Sequence, residues 1–362
     1  MARRRNKRMK NKEPAVMTFF LPGAGQTVIP AKVGVTPGKL DAYVDLSQIA
    51  SVMNRRFYRQ GLNWAVAGIK IQTGLANGTI EVGKLPNTWI TANSYTKSFK
   101  AWQRANREAM DETESVRPRF LDFKIYADAE HHTLGFPANL RPASLEPTAL
   151  SFYDMGEWTP SKVHIPVADP AFPTATNDFE ILATGQSFVG VGASGHGAVS
   201  MIEGYANSRS LPNRVDPNAP ADADDTSGLT PENWIQAMFN EGTDMTDEII
   251  EDMLEDNNQA PYPFEGAENV QAGSLFPSPY TDTMYPGGAN QAAGLAFHDA
   301  VYYSNTAETI VQTSYLKGGN FPCGLIKFQM TNNGDSDATV NIIIDLIPGD
   351  HRGYMAETML EM

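Results

Sequence analysis

The sequence predicts an all-β chain: a Greek-key β-sandwich with helical insertions in long loops. Three observations predict it. Short β-branched and aromatic runs bounded by turn residues stand at both ends of the chain. Long excursions separate these two groups, which suits Greek-key connections. Strand and helix patterns do not alternate regularly, so a doubly wound parallel sheet is a poor fit. With 362 residues and 41% hydrophobic content, the chain has material for a real core.

Taken in order, residues 1–13 are expected to be a basic arm, disordered when free, ahead of one body at 14–362. Thr27–Val35 and Leu40–Leu46 read as strands with Pro37-Gly38 as the turn between them. Ser47 is the expected N-cap of a short helix ending near Arg55. From Gly61 to Thr73 the apolar positions Trp64, Val66, Ile69 and Ile71 alternate, with one slip at Gly68. Thr79–Val82 follows across Asn77-Gly78, the strongest hairpin signal in the chain. The period then changes. Tyr95, Phe99, Trp102 and Ala105/Ala109 mark one face of a helix over Ala92–Met110. Phe120–Ala127 returns to strand, and His131-His132 would point to opposite sides of one.

Residues 135–180 are proline-rich and read as long connections around short strands. Phe179–Val191 reads as a buried strand ending in glycines, with Ala198–Gly204 as its partner. An acidic, helix-containing insertion is expected at about 205–292. Its segment Asp216–Glu268 holds fifteen acids and no Lys or Arg. Within it Thr230-Pro231-Glu232 starts a helix with Trp234, Met238 and Phe239 on its apolar side, and Thr246–Asn257 is a second helix. Ala293–Tyr303, Thr306–Tyr315, Gly324–Met330 and Thr339–Ile347 are the C-terminal strands, with a turn at Asn332–Asp337. Thr339–Ile347 is the most β-prone run and is expected to be central.

Charge is unevenly placed. Arg3, Arg4, Arg5, Lys7, Arg8, Lys10 and Lys12 form a run with no acid among them, while the whole chain carries −14. Without those seven charges the remainder stands at −21. Such a run suits phosphate binding or nuclear localisation, and the acidic body does not suit wrapping nucleic acid on a broad face. Two further basic sets are possible secondary nucleic-acid contacts. Lys97, Lys100, Arg104 and Arg107 lie on the polar face of the predicted helix, and Arg55, Arg56 and Arg59 flank Phe57-Tyr58.

No stretch has the length of a membrane span. The apolar run Val16–Leu21 is broken by Pro22 and Gly23, too short for a signal peptide. A single cysteine excludes an intrachain disulfide, and Cys323 reads as a small buried side chain. Gly190, Gly192 and Gly195 match a dinucleotide fingerprint in spacing, but no helix pattern follows, so a glycine turn is the better reading. Ser194 lacks the final glycine of a nucleophile elbow. Asp244–Glu255 lacks the central glycine of a calcium loop. No catalytic residue, metal ligand or cofactor is expected. The alternatives are a glycan-acting enzyme, which leaves the basic arm unexplained, or a lectin-like or calcium-binding β-sandwich module.

The short Arg/Lys arm, the β-rich body and the acidic insertion with Pro261-Tyr262-Pro263 and Tyr285-Pro286-Gly287-Gly288 together resemble capsid proteins of small circular Rep-encoding single-stranded DNA viruses. The resemblance implies a single jelly roll, self-assembly into an icosahedral shell of 60 or more subunits, and an inward arm on a single-stranded DNA genome. It implies a virion location, with the host nucleus during assembly, no membrane partner, and a host receptor the sequence does not identify. Sixty arms of seven charges supply about 420 positive charges, enough for a few hundred phosphates.

Overall fold

Before its long central excursion the chain forms five strands and one helix. They are β1 (Thr18–Leu21), β2 (Val28–Ile29), β3 (Gly38–Asp45), α1 (Leu46–Asn54), β4 (Leu62–Thr73) and β5 (Gly78–Lys84). The computed structural model describes residues 15–107, 122–145, 150–166, 176–207, 234–238, 294–304 and 312–359, with positions 111 and 115. The excursion carries α2 (Trp89–Ala105), α3 (Ala129–Leu134), β6 (Ala143–Leu145), β7 (Leu150–Phe152), β8 (Lys162–Pro166), β9 (Thr176–Leu182), β10 (Gly197–Ser200), α4 (Met201–Asn207) and α5 (Trp234–Ala237). The chain then adds β11 (Ala296–Tyr303), β12 (Gln312–Phe321), β13 (Leu325–Asn332) and β14 (Ala338–Leu346). The small pairs β15 (Pro348–Gly349) with β16 (Gly353–Tyr354), and β17 (Ala356–Thr358) with β4, close the described chain.

The fold is mostly β, and two antiparallel sheets make its body. One has the order β1-β14-β4-β12, the other β11-β5-β13-β3. Each neighbouring pair on these paths joins a strand before residue 85 to one after residue 295. From β3 to β5, and again from β11 to β14, each strand lies in the other sheet from the one before it, while β5 and β11 are neighbours in the second sheet. Ile69, Ile71, Ile342 and Ile344 of the first sheet share one core with Val44, Ile80, Val82, Phe328 and Met330 of the second, all fully buried. Each such side chain contributes about 1.5–3 kcal/mol by leaving water. β14 is central in its sheet, as its composition predicts, and its residues alternate between buried and half-exposed.

The slip read at Gly68 is real. Trp64 and Val66 are buried, Ala67 is exposed, and burial resumes at Ile69 and Ile71; the pairing with β14 shifts register there. One extra residue restores the inward face after the shift.

The expected hairpin across Asn77-Gly78 does not form. β4 lies in the first sheet between β14 and β12, and β5 lies in the second between β11 and β13. Both edges of β4 are already taken, so this turn hands the chain from one sheet to the other. Gly78 is needed for a close approach, because a Cβ there would sit 2.0 Å from the Thr331 carbonyl oxygen.

Other expectations change as well. The strand over Thr27–Val35 shrinks to Val28–Ile29, since Pro30 lacks an N–H and Gly34 makes a turn closed by a Val33–Thr36 bridge. Asp45, not Ser47, caps α1, its carboxylate accepting from Ser47 N and Gln48 N. Ala105 is exposed on α2, off the buried face. Residues 122–127 form no strand beyond one bridge, Tyr126 to Leu182, because side chains take up their backbone groups. His131 and His132 are on α3, started by Asp128 as its cap. β9 stops at Leu182; β10 pairs with it in parallel, and Met201 onward is helix. β12 is described from Gln312, and the part of the expected strand from residue 306 to 311 lies outside the described residues. The excursion between the sheets' strands runs from residue 85 to 295, and its Trp102, Phe123, Ile181, Val199 and Trp234 share a second core with Tyr43 and Leu325 of the second sheet. The expected helix Thr246–Asn257 and most of 205–292 lie outside the described residues.

Candidate nucleic-acid interface

The seven cationic arm residues Arg3, Arg4, Arg5, Lys7, Arg8, Lys10 and Lys12 lie outside the described residues. The arm's root does not. Val16 N donates to Asn54 Oδ1 at 3.0 Å, and the Tyr354 hydroxyl donates to Val16 O at 2.6 Å. Ala15 lies against Gly353, whose Cβ would come within 2.8 Å of it. The neighbours of Asn54 and Gly353 in sequence are Arg55 and Arg352.

Arg55, Arg56 and Arg59 belong to the turn that leads from α1 into β4. Arg55 ends α1 in the left-handed region (φ 50°, ψ 40°), with its N–H on Ser51 O. Arg56 N donates to the same carbonyl at 3.2 Å. Ser51 Oγ donates to Ser47 O and accepts from Tyr58 N. The turn is fixed at each of these steps. It directs Tyr58 inward, against Trp64 and Tyr354, and leaves Phe57 48% exposed. Arg55 and Arg59 are exposed and Arg56 is half-buried. The Arg352 guanidinium donates to the Phe57 carbonyl, and the Tyr58 hydroxyl donates to Arg352 O at 3.2 Å.

Beneath this turn lies a polar network. Asp45 accepts from Ser47 N, Gln48 N, Gln60 Nε2 and Trp158 Nε1. Burial pushes its carboxyl up to about 7, and those four donors hold it from rising further. Gln60 also bonds both backbone groups of Ile125, tying the turn to the excursion. The Lys124 ammonium pairs with the Asp122 carboxylate, both nearly buried. It sits 4.6 Å from the centroid of the Trp158 ring and 5.6 Å from that of Phe57. Burial raises the Asp122 carboxyl, and Lys124 and Arg59 pull it back. Burial raises the Tyr58 phenol, and Arg56 and Arg352 oppose the rise. His351 is lowered, first by burial and then by Arg352.

Lys97, Lys100 and Arg104 are on α2, whose buried side includes Tyr95 and Trp102, and Arg107 lies just past its C-cap Asn106. Lys97 Nζ lies 6.0 Å from the Tyr205 ring centroid on α4, and Arg107 pairs with Asp111 at 3.5 Å in solvent. The structure thus places Arg55 beside the arm root and the whole second set on the excursion, apart from the first. Sequence reasoning missed Arg352 and Lys124. Gly349–Gly353 has turn composition, but nothing local marks it as a neighbour of residue 55.

The remaining sequence motifs resolve into structure. Gly192 meets His132 closely, with a Cβ there only 2.5 Å from His132 O, and strand β10 follows instead of a helix. Cys323 is fully buried, and burial raises its thiol out of the reactive range. Among the described residues no group of three or more His, Cys, Asp or Glu is placed to hold a metal, and no helix is long and apolar enough to cross a membrane. Comparison with protein-family models, curated proteins and solved structures gives no match. The chemistry of this end is therefore read from its own groups. Guanidinium groups offer charge-assisted bonds to phosphate, and one ring offers a face to a base.

Proposed function

We propose that this chain is the coat protein of a small circular Rep-encoding single-stranded DNA virus. Its body is a jelly roll, its role is structural and not catalytic, and copies of it close into an icosahedral shell around the genome. The observation that carries this reading is the strand order. β1-β14-β4-β12 and β11-β5-β13-β3 interleave the two ends of the chain, and each step from β3 to β5 and from β11 to β14 changes sheet. That order is expected of eight strands wound as two Greek keys, the architecture of many viral capsid domains.

The arm root supports the packaging half of the reading. The chain leaves the arm and enters the body at Val16, which is bonded to Asn54 and Tyr354, the sequence neighbourhoods of Arg55 and Arg352, so the basic run is joined to the body at an end that carries cations of its own. Such contacts take hold of phosphate without reading base sequence. Subunits repeat one contact by symmetry. Assembly in a host nucleus and residence in the virion belong to the same proposal.

Deleting residues 1–12 tests it. The shortened chain is expected to fold and assemble, and its particles to lose their nucleic acid. Particles that retain a full nucleic-acid load would refute the arm's part in packaging.

A further inference from the structure

We propose that Phe57 is a stacking platform for an unpaired nucleobase, set between Arg55, Arg59 and Arg352, so that this end of the molecule prefers single-stranded to duplex nucleic acid. The inference rests on the reading that this end meets nucleic acid, and adds which form it selects and by which residue.

Phe57 and Tyr58 are adjacent aromatics with opposite fates. Tyr58 is 1% exposed and Phe57 is 48% exposed. Folding therefore leaves a large ring in water amid cationic groups, although its neighbour is fully packed. The ring is held before any ligand arrives. Arg56 N and Tyr58 N are both bonded to Ser51, and the Phe57 carbonyl is bonded by Arg352. Inward, the ring meets Trp158 at 6.4 Å between centroids, tilted 53°, and the Lys124 ammonium at 5.6 Å. Asp122 neutralises that ammonium, so the inner cation supports the ring while the outer arginines remain for phosphate.

A platform fixed in this way binds without first ordering itself, which preserves the free energy of the contact. Bases in a duplex are paired and stacked on each other, and one lateral ring does not reach their faces. Bases of a single strand turn outward, stack on the ring, and leave their phosphates at the surrounding guanidinium groups.

The test uses the full-length chain with Phe57 intact, with Phe57→Leu, and with Phe57→Trp. Each is titrated at one salt concentration with a labelled oligothymidine and with a hairpin duplex, read by fluorescence anisotropy. Thermal melting of the three chains checks that folding is unchanged, as expected for a half-exposed position. The unaltered chain should bind oligothymidine more tightly than duplex. Phe57→Leu should weaken oligothymidine roughly tenfold and leave the duplex unchanged. Phe57→Trp should keep the affinity, and its added indole emission should fall with oligothymidine and not with duplex. If Phe57→Leu binds both probes as the unaltered chain does, the platform is wrong and the coat-protein reading stands. If the unaltered chain binds neither probe, both fall.

Discussion

Asp45 accepts four hydrogen bonds in full burial, and two of the donors, Gln60 and Trp158, carry the basic turn above it. Asp45→Asn would set an amide N–H₂ against donor groups at this site. The expected cost is about 1–3 kcal/mol, seen as a lower midpoint in denaturant. An unchanged midpoint would show that the network does not hold the turn. His131 gives a pH-dependent prediction. Its ring is buried, bonded to Asn139 and Ala127, and faced by Asp128, His132 and Lys327. Burial lowers it from 6.5 to about 4. Between those values the unfolded chain takes up a proton that the folded chain refuses. Stability from this group is therefore present above about pH 6.5 and is lost as pH falls toward 4. Asp45 runs the opposite way, its contribution fading as pH rises through about 7. His131→Gln removes the first of these alone. Measured by Tm from pH 7 to 4, the unaltered chain should lose stability relative to the variant, and parallel curves would contradict the assignment.

At the scale of elements, the inward positions Trp64, Val66, Ile69 and Ile71 of β4 were legible, slip included, because they depend on which side chains avoid water; the burial of Asn63 on the other face was not. The turn at Asn77-Gly78 was legible as a turn. Its pairing was not, because a turn fixes where a chain reverses and not which distant strand takes each edge. β4 pairs with strands from the other end of the chain, and no local pattern encodes that choice. The boundaries of α1 followed from a capping preference, and Asp45 prevailed over Ser47 because its carboxylate reaches two N–H groups. The strand read at Phe120–Ala127 failed because Gln60, Ser161 and His131 supply its hydrogen bonds. Gly78→Ala should cost about 3 kcal/mol, since its Cβ meets the backbone of Thr331 in the neighbouring strand. A variant as stable as the parent by chemical unfolding would mean that β5 and β13 adjust freely.

For the whole molecule, the two ends differ in chemistry. At one end the loops meet each other: Lys32 pairs with Asp335 at 3.1 Å, and Asn333 N donates to Asn77 O at 2.8 Å. At the other, the arm root, the α1–β4 turn and the C-terminal turn at Arg352 gather positive charge. The basic sets were legible from composition alone. The approach of Arg352 to the turn at residues 55–59 was not, since Arg352 reaches Phe57 only through the fold. This polarity suits a subunit that faces nucleic acid with one end and its neighbours with the rest. On the proposed reading, copies of this chain close into a shell around nucleic acid. Negative-stain electron microscopy of the purified full-length protein, with the 260/280 nm absorbance ratio of the same fraction, tests it most directly. Uniform spherical particles with a nucleic-acid ratio are the predicted result. Small, monodisperse protein free of nucleic acid across a range of salt and pH would contradict it.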